Sequence, residues 1–219
     1  MLACVNGKGD VVVQTYALSG FTKIDHGTKG DIIIVKDDHQ YVEVSSQQNI
    51  IDILKVEVDG STLKIRTENA KSIGKYEELK FYVHMPVVED IQIGGAGTVT
   101  GGDSLTGDKF TCKVSSNGSI VLTGLHVSYT EIIIAGSGSV KLTGHADKSD
   151  MGVGSNGHVE CFGLSSDETS VQLKGAGSIE TLTNVKLTVL ISGNGGVYYK
   201  GNPVISSTIT GNGVLLQAP

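Results

Sequence analysis

From residue 91 onward, aliphatic residues alternate with small or polar ones, and a glycine-rich corner interrupts the alternation at a nearly constant interval. With Gly97, Gly118, Gly138, Gly157, Gly177, Gly195 and Gly213 as reference points, the intervals are 21, 20, 19, 20, 18 and 18 residues. Four residues before each reference glycine stand Ile93, Val114, Ile134, Val153, Leu173, Ile191 and Ile209. Two residues after it stand Val99, Ile120, Val140, Val159, Ile179, Val197 and Leu215. Six before it stand Ile91, Cys112, Ile132, Met151, Val171, Val189 and Ser207. These positions share one parity, the signature of a strand with one buried face. The opposite parity is mostly small or polar, as at Thr98, Ser119, Ser139, His158 and Ser178.

Each repeat therefore predicts a strand, a tight corner, and a second strand. The corner is glycine-rich because a Cβ would obstruct the backbone there and a bulky inward side chain would not fit. A second corner is expected at Gly124, Gly144, Gly163 and Gly201, with Thr183-Asn184 replacing it in one copy. A helical alternative fails: no 3.6-residue apolar period exists, and each interior glycine would cost a helix about 1 kcal/mol. A self-similar period near twenty with short strands predicts an all-β, right-handed parallel β-helix of 18–21 residues per coil.

The N-terminal third patterns differently. Residues 1–18 read as a tether, residues 19–90 as an N-terminal β region or cap, and residues 91–219 as the seven-repeat β-helix. Within the cap, the apolar run Ile32-Ile33-Ile34-Val35 and the alternating Tyr41-Val42-Glu43-Val44 predict strands. Residues 49–54 predict one helical turn with Asn49 as its cap. Asp59-Gly60, between two alternating runs, predicts a hairpin. A solenoid end exposes strand edges and apolar side chains, so this region is expected to cover one. The C-terminus shows no polar cap. The last coil is thus expected to be covered by the N-terminal region or by another subunit, which makes a homo-oligomer one expected arrangement.

Composition narrows the function. With 39% hydrophobic residues the chain can build a core, and with a net charge of −6 and no Lys/Arg cluster it is not expected to bind nucleic acid. No run of 18 apolar residues exists to span a membrane as a helix. Cys112 and Cys161 fall on different sides of the coil and read as small buried hydrophobes. Leu2-Ala3-Cys4 has the form of the end of a bacterial lipobox, which makes Cys4 a candidate lipid anchor and the only expected membrane link.

At Ser19-Gly20-Phe21-Thr22-Lys23-Ile24, Gly30-Asp31-Ile32, Asn49-Ile50-Ile51-Asp52 and Gly60-Ser61-Thr62-Leu63-Lys64-Ile65, the chain resembles a known family. Together with the recurring Gly-x-Gly-x-Val, these segments are similar to the bacterial putative autotransporter adhesin head GIN domain, common in Bacteroidetes. The resemblance spans about residues 18–200. It implies a β-helical, secreted or envelope-attached protein, often with a lipoprotein-type N-terminus, and brings no catalytic residues.

Enzymatic chemistry finds little support. Polysaccharide-active β-helices present carboxylates on an outer strand face. Here Asp103, Asp108, Asp147, Asp150, Asp167 and Glu168 are expected in variable loops, with no two matched in neighbouring coils. Gly94-Gly95-Ala96-Gly97 lacks the aspartate of a calcium-binding nonapeptide, since Val99 holds that place. The repeats lack the third glycine of a dinucleotide-binding loop. His126 and His145 are expected side by side in adjacent coils, as loop histidines or, with Asp147 or Asp150, as metal ligands. A glycan site would want aromatic platforms; there is no Trp, and of Tyr198-Tyr199 only one can face outward.

The expectation is a non-enzymatic envelope protein without a cofactor, using Thr98, Ser119, Ser139, His158 and Ser178 as a binding face for a surface glycan or protein. A periplasmic structural or signalling scaffold is the second expectation, and a polysaccharide-active enzyme the third. The location expected is the cell envelope, on the surface or the periplasmic side of the outer membrane, or the secreted fraction.

Overall fold

The computed structural model describes residues 3–102 and 105–219. Met1 and Leu2 of the lipobox reading, and Asp103 among the acids, lie outside the described residues. The N-terminal part runs β1 (Ala3–Val5), β2 (Val11–Tyr16), β3 (Lys23–His26), β4 (Asp31–Lys36), β5 (Tyr41–Gln47), a helical turn α1 (Gln48–Ile51), β6 (Leu54–Asp59), β7 (Thr62–Thr67), β8 (Lys71–Ile73) and β9 (Leu79–Met85). The rest runs β10 (Asp90–Ile93), β11 (Thr98–Gly101), β12 (Leu105–Val114), β13 (Ser119–Ile134), β14 (Ser139–Val153), β15 (His158–Leu173), β16 (Ser178–Ile191), β17 (Gly196–Lys200), β18 (Val204–Ile209) and β19 (Val214–Gln217).

From β10 to β19 each coil hydrogen-bonds the next in parallel, with register shifts confined to the second corner and the stretch after it, forming the expected all-β solenoid of about six turns. The aliphatic columns become ladders. Ile93, Val114, Ile134, Val153, Leu173 and Ile191 stack in one buried line, and Val99, Ile120, Val140, Val159, Ile179 and Val197 in another. Each buried aliphatic contributes roughly 1.5–3 kcal/mol relative to exposure.

The corner glycines are explained by close approach more than by dihedral freedom. A Cβ at Gly136 would lie 2.2 Å from the Ser116 carbonyl oxygen of the preceding coil, and one at Gly175 would lie 1.8 Å from that of Ser155. Of the reference glycines only Gly97 has a positive φ, 142°. At the second corner the dihedral requirement holds at Gly124, Gly144 and Gly201, with φ of 69°, 130° and 95°, but not at Gly163, where a Cβ would instead lie 2.7 Å from the Thr143 side chain.

The core holds a feature that the column reading did not anticipate. Eight residues before the reference glycine, Phe110, Thr130, Ser149, Thr169 and Leu187 form one more buried ladder. Ser149 and Thr169 find hydroxyl partners inside, while Thr130 Oγ1 has none among the described residues. Ser149 Oγ bonds Ser166 Oγ at 2.6 Å, and Thr183 Oγ1 donates to Thr169 Oγ1 at 2.7 Å. Pairing offsets the desolvation that an isolated buried hydroxyl would cost.

The N-terminal part does not simply precede the solenoid. Strands β3 and β4 form a coil on the same pattern, with Gly30 as its reference: Ile24, His26 and Ile32 pair in parallel with Ile91, Ile93 and Val99. On the other side of that coil lie β7 and β9, with Leu63 against Ile24 and Phe81 against Ile32. The chain thus leaves this coil, builds the end of the stack, and returns to the coil's free side. Strands β6, β5 and β2 pair antiparallel and close this end. The expected hairpin is present, with Gly60 at φ 60° between β6 and β7.

Two local expectations change. The helical turn starts at Gln48 and carries no side-chain cap bond. Asn49 instead accepts from the Lys8 backbone N–H and donates to the Asn6 carbonyl, both at 2.8 Å. The segment read as a tether is built into the fold: β1 pairs with β8 and β2 with β5, because Asn49 and the strand edges satisfy its backbone.

Candidate functional site

The five residues expected as a binding face do form one ladder: Thr98, Ser119, Ser139, His158 and Ser178 are register partners in successive coils. The pleat puts them all on the outer surface. Part of their hydrogen-bonding capacity is spent within the ladder. Ser119 Oγ bonds Ser139 Oγ, and His158 Nδ1 bonds Ser178 Oγ, each at 2.9 Å. The Thr98 N–H donates to Asp31 Oδ1 at 2.8 Å. All but His158 are half-buried. On the same side, Lys141 Nζ lies 3.6 Å from Glu160 Oε2, and Lys200 Nζ lies 5.0 Å from the Phe162 ring centre. Tyr199 packs partly against the core, so Tyr198 is the outward member of that pair.

The neighbouring side offers a better-formed recess. Across coils, Ile133, Gly152 and Gln172 pair, as do Glu131, Asp150 and Ser170. Gly152 leaves the sheet bare, since a Cβ there would meet no atom closer than 3.9 Å outside its chain neighbours. The result is a groove of about 320 Å³ walled by Ile133, Gln172, Glu131, Asp150 and Ser170. At Asp150 and Ser170 it runs into a second hollow of about 260 Å³ bordered by Tyr129, Lys148, Glu168 and Lys186.

The charges along this recess are held in place. The Tyr129 hydroxyl donates to Asp150 Oδ2 at 2.6 Å, and burial together with that carboxylate pushes the phenol well above its ordinary pKa. Lys109 Nζ lies 3.6 Å from Glu131 Oε2 and 5.2 Å from the Tyr129 ring centre. Lys148 and Glu168 pair at 3.2 Å. These are exposed contacts, each worth at most about 1 kcal/mol, so they fix orientation more than stability.

Asp150 was expected in a loop without a partner acid. It lies instead in a strand beside Glu131, because seven residues before the reference glycine is an outward strand position. Counting back one more outward column would have found the pair. Asp108, Asp147, Asp167 and Glu168 likewise lie in strands rather than loops: Asp147 bonds His145 at 3.3 Å, Asp167 neighbours Asn184 at 3.5 Å, Glu168 pairs with Lys148, and Asp108 borders a different hollow with Glu89 and Asp90. His126 and His145 are register partners, while Asp150 turns to Tyr129. Among the described residues no group of three His, Cys, Asp or Glu side chains is arranged to hold a metal ion. Cys112 and Cys161 are buried, and Cys4 is exposed in β1 opposite Ser72. Among the described residues no helix is long and apolar enough to cross a membrane.

The chain's relatives match this architecture. The family model described as putative auto-transporter adhesin, head GIN domain, matches residues 20–203. The crystal structure of a putative adhesin from Bacteroides fragilis superposes with a TM-score of 0.93 at 23% identity, over 98% of this chain and 100% of that one. A putative adhesin from Parabacteroides distasonis gives 0.76 at 20% identity, over 98% and 100%. A putative lipid binding protein from the same species gives 0.83 at 19% identity, over 99% and 100%. At these identities the likeness is one of fold. A search among curated proteins finds no match.

Proposed function

The chain belongs to the putative auto-transporter adhesin, head GIN domain family, and from that membership we propose that it is a non-enzymatic binding module of the cell surface. The observation that carries this reading is the recess over Gly152. It is a trough on the sheet, bordered by carboxylates, a hydroxyl and an amide at coil spacing. Such groups suit an extended, hydroxyl-bearing chain such as a glycan, whose hydroxyls both donate and accept. The ladder from Thr98 to Ser178 is the second candidate contact surface, with its hydroxyls partly occupied. Family and fold relatives described as putative adhesins support the adhesin-like part of the reading. No observation favours a periplasmic scaffold or a polysaccharide-active enzyme.

Cys4, exposed in β1 near the capped end, fits a lipid anchor. Acylation there would hold the capped end at the membrane and turn the last coil outward.

The test has two arms. The whole chain is screened on a glycan array and against immobilised glycoproteins, beside Gly152→Leu, which fills the trough. Binding that the filled variant loses, with its circular dichroism unchanged, is expected. No binder, or binding untouched by the filling, overturns the trough reading. Protease treatment of intact cells should cleave the protein while a periplasmic control is protected; full protection overturns the surface location.

A further inference from the structure

The two ends of the solenoid are finished differently. At the N-terminal end, antiparallel strands and a helical turn cover the stack, and the edge strand β6 carries Lys55, Glu57 and Asp59. Charged edge strands resist edge-to-edge pairing, because pairing would desolvate the charges. At the other end, among the described residues, β18 pairs only with β16 and β19 only with β17, so their outer backbone N–H and C=O groups find no strand partner there. The aliphatic ladders stop in the open: Ile205 is 39% exposed and Ile209 41%, where their counterparts Leu187 and Ile191 are fully buried. Val204 and Leu216, at 76% and 51%, extend the apolar surface to the rim. From Gly201 to Pro219 the sequence has no Asp, Glu, Lys, Arg or His.

We propose that the coil made by β18 and β19 is an interface for a second copy of this chain, joined end to end about a two-fold axis. The argument for that occupant is charge. An uncharged edge gains nothing from a charged partner, and its open hydrogen-bond row would desolvate whatever charge it met. Head-to-tail stacking would lay β18 on the charged β6 of the next copy and would grow an open fibre. A second uncharged terminal coil satisfies both edges, buries both sets of ladder ends and closes. This proposal does not depend on the ligand reading.

The test is sedimentation of the whole chain over a wide concentration range. A species of twice the 22.9 kDa monomer mass is expected. Ile205→Lys/Ile209→Lys, whose lysines can reach water in the monomer but not in the pair, should shift it to monomer, while Val13→Lys, exposed in β2 at the capped end, should not. If the double variant unfolds by circular dichroism, amide exchange on the unaltered chain decides: protection confined to residues 204–217 and rising with concentration supports the pairing. A monomer at all concentrations, a dimer indifferent to the lysines, a fibre that lengthens with concentration, or a monomer that instead binds phosphatidylcholine vesicles would each overturn it.

Discussion

His26 stands directly against Ile93 of the adjoining coil, in a column that is aliphatic in every later repeat. Its imidazole is fully buried, with an edge-on contact to Phe81. Nε2 donates to the Gly30 carbonyl at 2.9 Å, and Nδ1 has no partner among the described residues. Burial, opposed in part by that hydrogen bond, pushes its pKa down from 6.5 to about 4. A base with a depressed folded pKa binds fewer protons folded than unfolded. Stability from this site is therefore complete above about pH 6.5, falls as pH drops towards 4, and is gone below that. The full window is worth about 3 kcal/mol. Urea midpoints at pH 7.5 and 4.5 should show most of that difference in the native chain, and His26→Leu should remove its share of the slope.

Gly175→Ala should destabilise by about 3 kcal/mol, because the new methyl meets a backbone carbonyl that cannot rotate away. Gly152→Ala, where a Cβ has free space, should change stability by less than about 1 kcal/mol, with either sign. Urea unfolding of the pair measures this. Equal costs would mean that the coils do not approach as closely as described.

Thiol labelling should separate the cysteines. Burial pushes Cys161 up to about 12 and Cys112 well above its ordinary value. The thiolate is the nucleophile, so neither should react in the folded state. Maleimide at neutral pH should modify only Cys4 in native protein, and all three residues in urea, as read by mass spectrometry.

The buried hydroxyl pair of Ser149 and Ser166 should behave as a unit. Either serine changed to Ala leaves the other hydroxyl unpaired and should cost about 1–2 kcal/mol. The double change should cost less than the sum, with a coupling of about 1 kcal/mol. Additive losses in a double-mutant cycle would mean that the two hydroxyls do not bond.

The repeating coils were legible because an in-register parallel solenoid converts spatial neighbours into sequence neighbours one period apart. Ile134 and Val153 touch in the stack and stand 19 residues apart in the chain, so a column drawn on Gly138 and Gly157 is already a ladder. The Asp59-Gly60 hairpin was legible for the same local reason. The coil on Gly30 was not, since 67 residues separate it from Gly97 and His26 breaks its aliphatic column. In the candidate site, the ladder from Thr98 to Ser178 was visible, but the trough was not. It arises from Gly152, a glycine without a corner role, and from Glu131 meeting Asp150 in a strand where the column pattern predicts a loop.

The sequence alone determined the secondary structure of each coil, its inward and outward faces and the stacking period, because alternation and glycine spacing are properties of adjacent residues. Only the tertiary structure decided that β7 and β9 close one side of the first coil while β10 and β11 return to the other. It alone showed that His26 is buried and that one end is capped while the other is open. Those outcomes depend on pairings between segments tens of residues apart. Such contacts are selected by packing and by backbone hydrogen-bond satisfaction, which leave no period in the chain.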